Sequence, residues 1–165
     1  MSTSAPSSRD ETLRQLAAEV GLDIDTPFRA VPRYEVAVLH AETLYISGQI
    51  PRVGDQLAVC GRAGEVSLED ARRAARICVL RALAIARQQI GSLDRLVRVL
   101  RMNVFVQSAA DFTQQSEVAD AASDILYALL APDGGHTRTS VGVAQLPKDA
   151  TVEIDLTAAV RPSVA

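Results

Sequence analysis

The sequence predicts an α+β domain, with one mixed sheet, two helices packed on one of its faces, and a short helix added at the amino terminus. Three observations predict it. The periodic segments run strand, strand, short strand, helix, strand, helix, strand, strand, as two related halves that each end a run of strands with a helix. The longest helical segment carries a narrow face of small residues, suited to lying close on a sheet. The 165-residue chain is 48% apolar, yet only 4% aromatic and without tryptophan, so its core must be built from Ala, Val, Leu and Ile.

The elements follow in order. Residues 1–32 read as an amino-terminal arm and 33–165 as a single domain. Residues 1–7, rich in Ser, Thr, Ala and Pro, are expected to lack order. Ser8-Arg9-Asp10-Glu11 has capping-box spacing, and Leu13, Leu16, Ala17 and Val20 form an apolar stripe that Gly21 stops. Pro27 and Pro32 mark the linker into the domain. Tyr34 to His40 and Leu44 to Ile50 read as a strand pair around Ala41-Glu42-Thr43. Residues 52–66 read as a loop holding one short strand, Gln56 to Cys60.

Ser67 opens the longest helix, which runs to Ile90 before Gly91, with Ala71, Ala74, Ala75, Cys78, Ala82, Ile85 and Ala86 on the sheet side. Arg72, Arg73, Arg76 and Arg87 stud the opposite side. Without interleaved aromatics, and with Glu69 nearby, they read as a solvated face rather than an RNA surface. Leu96 to Gln107 is a long strand whose apolar parity changes, so either a bulge near Val99-Leu100 or burial on both faces must reconcile it. Asp111 to Gln114 caps a second helix with Val118, Ala121, Ala122, Ile125 and Leu129 inward.

The last two strands, around Arg138 and Val152 to Thr157, are expected to form a hairpin joined by a tight Pro147-Lys148-Asp149 turn. A two-residue turn there would pair Arg138 with Thr157 and Glu153 with Gly142. Both side chains would then share a face, about 13 Å apart along the strand. With two helices on one face, Phe105, Val143 and their apolar neighbours lack a partner on the other. Packing of sheet on sheet in an oligomer would cover them.

The formal net charge of -3 gives no general attraction to phosphate polymers. Cys60 and Cys78 lack metal or redox spacing and read as free thiols of a reducing compartment. Two histidines and unspaced cysteines cannot make a metal site. Met1 to Arg9 is polar, without the apolar run of a signal peptide, and no stretch approaches a membrane span. A soluble cytoplasmic domain, with neither nucleic acid nor membrane as partner, is expected.

Arg138, shortly after Gly134-Gly135, offers a rigid fork of donors matched to a planar carboxylate. It could equally pair with a surface carboxylate, and Glu153 could sit on the wet face of an edge strand. Gly48 either relieves backbone crowding or lets a ligand approach. His136 is a candidate general acid beside Arg138 or a surface histidine of a Gly-rich loop.

Three motifs carry a resemblance: Tyr34, thirteen residues before Ser47-Gly48-Gln49-Ile50-Pro51; Asn103-Val104-Phe105-Val106 followed by Asp111-Phe112; and Arg138 through Leu146-Pro147-Lys148-Asp149 to Val152-Glu153-Ile154. In this order and spacing, over about residues 33–160, the chain resembles a divergent branch of the RidA/YjgF family of reactive-intermediate deaminases, formerly called translation inhibitors or endoribonucleases. The resemblance implies a chorismate-mutase-like fold, a homotrimer with sites between subunits, and hydrolysis of enamines and imines to 2-oxo acids and ammonia without metal or organic cofactor. It implies that Arg138 holds the substrate carboxylate and that Glu153 orients or activates water. Tyr34, Ser47, Gly48, Ser116, Thr139, Ser140 and His136 would line the pocket.

Overall fold

The computed structural model describes residues 8–28 and 33–162. The expectations for residues 1–7 and for Pro32 fall outside them. The first helix, α1 (Arg9–Glu19), starts where the Ser8 hydroxyl accepts the Glu11 amide, and it buries Leu13 and Ala17. It packs on α2 (Leu68–Ile90) and α3 (Gln115–Leu130). Asp10 accepts the Leu93 amide at 2.8 Å, and the Arg9 amide donates to Asp94 at 3.1 Å, fixing the helix to the turn that follows α2.

The main sheet holds β1 (Ala37–His40), β2 (Thr43–Gln49), β5 (Leu96–Gln107), β6 (Thr137–Val143) and β7 (Val152–Val160) in the order β1-β2-β7-β5-β6. A two-residue hairpin, β3 (Arg52–Val53) with β4 (Gln56–Leu57), stands apart. The expected strand 34–40 begins at Ala37, and the expected strand 56–60 shrinks to two residues, with Cys60 bridging Ala150. The sheet is mixed, because β5 and β6 run parallel while the other neighbours are antiparallel.

Two expectations are corrected. The narrow small-residue face of α2 is only part of its buried surface. Ile77, Val79, Leu80 and Leu83 are buried as well, because α1 and α3 enclose the sides that the sheet leaves open. The terminal hairpin does not form. β5 lies between β6 and β7, so Arg138 sits opposite Met102, which sits opposite Leu156. The reason is anchoring from β5. Its terminal residue Gln107, 1% exposed, accepts the Leu146 amide at 2.7 Å and donates to Asp149 at 2.5 Å. That carries the connection past the strand end, and Lys148 and Asp149 adopt left-handed backbone to make the turn.

The parity change in β5 is a pair of register shifts against β7, between Leu96 and Arg98 and between Val99 and Arg101. Met102, Val104, Ile154, Leu156, Leu44 and Ile46 point to the helices and are buried. Phe105, Val141, Tyr45 and Val38 lie on the other face, where the last three are exposed. Among the described residues, no helix is long and apolar enough to cross a membrane.

Candidate active site

Alternation along β7 turns Glu153 and Asp155 away from the helices, since Val152, Ile154 and Leu156 take the core. Glu153 lines two adjoining cavities of about 420 and 400 Å³, both shared with Tyr34 and Gly48. Ser47 and Asp155 line the first, where Ser47 Oγ is spent on the Glu35 carbonyl at 2.7 Å. Tyr34, 54% exposed, stands at the rim of both. Burial raises the pKa of Glu153 above the ordinary glutamate value, and the nearby Asp155 charge adds to it. Asp155 itself is held by Asn103 at 2.8 Å.

Gly48 is where it is because Glu153 needs the space: a Cβ there would stand 2.1 Å from Glu153 Oε1. The crowding it relieves comes from the Glu153 side chain, and Gly48 also lines both cavities. The obstacle is the far end of a side chain, not backbone, so a Gly48→Ala variant is expected to fold and to displace the carboxylate. Any turnover that uses this carboxylate should fall about 10- to 100-fold, the scale of a small misplacement of a reacting group. Matched circular dichroism with unchanged kcat/KM would show that the carboxylate position is irrelevant.

The second cluster sits on the edge strand β6, on the helix side. Arg138 Nη1 donates to Asp120 Oδ1 at 2.8 Å and to Ser123 Oγ at 2.9 Å, both on α3. The side chain stays 23% exposed, and Nε and Nη2 make no hydrogen bond among the described residues. A cavity of about 530 Å³ opens there, lined by Arg72, Asp120, Ser123, Asp124, Tyr127, His136 and Arg138. His136 Nδ1 lies 2.9 Å from the Gly134 carbonyl, so that nitrogen carries the hydrogen, and Nε2, 3.1 Å from Ser123 Oγ, accepts in the neutral ring. Donation therefore runs from Arg138 to Ser123 to His136 to Gly134. With both ring nitrogens engaged, His136 braces the arginine from the wall of the same cavity. Gly134 is tight against α3, where a Cβ would meet Tyr127 Cα at 2.7 Å.

Ser140 shares the Arg138 face of β6, and its hydroxyl is 3.5 Å from that of Ser116 on α3. Thr139 lies on the other face under the Arg101 guanidinium, so it does not join Arg138. The expectation that Arg138 and Glu153 share a face fails too. Glu153 pairs with Phe105 on the open face, whereas Arg138 reaches α3. One strand separates their strands, about 10 Å between β6 and β7, and the sheet itself stands between the side chains. Sequence reading missed Asp120 and Ser123; their i, i+3 placement on α3 was visible, but which strand they face was not. No group of His, Cys, Asp and Glu suited to a metal occurs among the described residues.

Fold and side chains define a small α+β domain that presents an arginine fork at one sheet edge and a half-buried carboxylate beside another strand. The family model described as Endoribonuclease L-PSP matches residues 25–160. Protein TCP17 of Trypanosoma cruzi is 38% identical over 138 residues, 81% of this chain and 86% of its own. The Agrobacterium tumefaciens protein Atu1372 superposes with a TM-score of 0.82 at 31% identity, covering 92% of this chain and 94% of that one. TdcF of E. coli, solved with bound serine, gives 0.59 at 26% identity over 81% of this chain and 91% of its own. The chain belongs to the endoribonuclease L-PSP family, the RidA/YjgF group, and has its chorismate-mutase-like α+β fold.

Proposed function

We propose that the protein hydrolyses 2-imines and 2-enamines of small carboxylic acids to 2-oxo acids and ammonia, in clefts between copies of a homotrimer. The observation that carries this reading is the state of Arg138. Nη1 is anchored by Asp120 and Ser123, which leaves the Nε–Nη2 edge unpaired beside a cavity, the geometry a carboxylate accepts in a bidentate pair. Its ion pair with Asp120 does not close the site, because Asp120 is 53% exposed and engages one nitrogen only. That TdcF was solved with serine, an amino acid, supports a carboxylate ligand.

Glu153 supplies the second function. Its raised pKa suits a base that takes a proton from water, and it lies in a cavity with Tyr34. Because Arg138 and Glu153 project from opposite faces of one sheet, a single small substrate can meet both only when two chains contribute. The exposed Val38, Tyr45 and Val141 on the open face supply apolar surface for such an assembly. In the reaction, an enamine first takes a proton at carbon to become the imine. Water, losing a proton to Glu153, adds to the imine carbon; the nitrogen gains protons and leaves as ammonia, and the carbonyl forms. Imine plus water gives ketone plus ammonia, so no redox partner is needed.

Arg72, Arg76 and Arg87 of α2 give little support to an RNA-directed reading, since Glu69 and Asp124 engage Arg72, Glu69 engages Arg76, and Asp25 engages Arg87. The test is ammonia release from a panel of 2-imines generated in situ, with sedimentation to count the copies. A trimer that accelerates release supports the proposal. A trimer that binds 2-oxo acids with no turnover across the panel would make it a non-catalytic carboxylate binder.

A further inference from the structure

The cavity that Glu153 shares with Tyr34 and Gly48 has an end that water activation does not use. Besides Glu153 its walls include Ile50, Pro147 and Phe28 and three cations, Arg52, Arg81 and Lys148. Glu153 is the sole carboxylate among the residues lining it. The contrast with the rest of α2 is informative. Arg72, Arg76 and Arg87 each have an acidic partner, and Arg73, which has none among the described residues, is exposed to water. Arg81, on the same helix, has none among the described residues; Nη1 donates to the Arg52 carbonyl at 3.0 Å and Nε is buried without a partner. The Arg52 side chain makes no hydrogen bond to the described residues, and its Nε is likewise buried.

Two adjacent guanidinium groups, partly withdrawn from water and without a counter-ion among the described residues, are costly to keep. Burial above all, with the Arg52 charge adding to it, holds the pKa of Arg81 below its ordinary value. The surroundings nevertheless hold Arg81 in place. The Phe28 ring lies 4.8 Å from its guanidinium carbon, and Phe28 is strapped to α2 by Gln88, which accepts the Phe28 amide at 2.9 Å and donates to its carbonyl at 3.2 Å. Asp23 and Asp55 line the neighbouring cavity on the far side of the same arginines, but Asp23 is turned onto Thr26 and the Asp25 amide, and neither pairs with Arg52 or Arg81.

We propose that this basic end is a second anion subsite, so that the substrates are imines or enamines carrying two acidic groups: a carboxylate at the reacting end, and a carboxylate or phosphate at the far end held by Arg52, Arg81 and Lys148. The inference rests on the roles assigned to Arg138 and Glu153 above. It makes the amino-terminal arm part of substrate selection, because Phe28 forms one wall.

The experiment is calorimetric titration of the full chain with three product-like probes: 2-oxobutyrate, with one carboxylate; 2-oxoglutarate, with two; and phosphonooxypyruvate, with a carboxylate and a phosphate. At least one of the two doubly acidic probes is expected to bind 10-fold or more tighter than 2-oxobutyrate, and whichever is tighter identifies the distal group. Arg81→Gln and Lys148→Gln should each cut that advantage at least threefold. Lys148 is exposed, so its variant keeps the test decisive if loss of Arg81 loosens the Phe28 wall. If 2-oxobutyrate binds in an Arg138-dependent way and neither doubly acidic probe binds tighter, or the advantage survives both variants, the distal subsite is wrong and the reading of Arg138 stands. If no probe binding depends on Arg138, both are wrong.

Discussion

Arg138→Ala is expected to lower kcat/KM for 2-imine hydrolysis by about 10²- to 10⁴-fold, the size of two charge-assisted hydrogen bonds at roughly 1.5–3 kcal/mol each. Arg138→Lys should recover little of it. An ammonium can reach the carboxylate but cannot present the Nε–Nη2 edge while also reaching Asp120 and Ser123. The fold should survive, because the Arg138–Asp120 pair is partly exposed and such pairs contribute about 0–1 kcal/mol. A thermal midpoint within a few degrees of the native one, together with the kinetic loss, would separate a binding role from a structural one. Native turnover in a folded Arg138→Ala variant would remove the guanidinium from the mechanism.

Glu153→Gln should cost about 10²- to 10⁴-fold in kcat, the usual worth of a positioned base, while making the protein more stable at neutral pH. The sign follows from the raised pKa of Glu153. The folded state holds that proton more tightly than the unfolded chain. The group therefore favours folding below the unfolded pKa, and its contribution is lost as pH rises through the folded pKa. At neutral pH the ionised carboxylate is a half-buried charge beside Asp155 and Gly48, and glutamine removes the charge while keeping the shape. A higher thermal midpoint is expected at pH 7, and the gain should shrink towards pH 4. The native rate should also fall with acidification at a pH above the ordinary glutamate range. A variant that is slower and less stable at neutral pH would mean that Glu153 supports the structure instead.

Much of the fold was legible because local patterns carried it. Ser8 and Ser67 cap the helices their spacing announced, and Leu13 and Ala17 bury the stripe of α1. The parity break at Val99-Leu100 is the bulge it suggested. The terminal hairpin misled because two alternating strands separated by a turn-like Pro-Lys-Asp look the same whether or not a third strand lies between them. The side chain of Gln107, 39 residues from Leu146, is what carries the connection around β5, and no local window contains both. The same error placed Arg138 and Glu153 on one face.

By itself the sequence determined the helices, the strands, their inward faces and the chemistry of the two groups that matter, a guanidinium and a carboxylate, since these depend on residue type and on periods of two and 3.6. Only the tertiary structure decided the neighbours: that Asp120 and Ser123 anchor one nitrogen of Arg138 and leave its other edge free, that Gly48 makes room for Glu153, and that Arg81 and Arg52 meet without a counter-ion among the described residues. Each is a contact between segments far apart in the chain, set by which strand lies beside which.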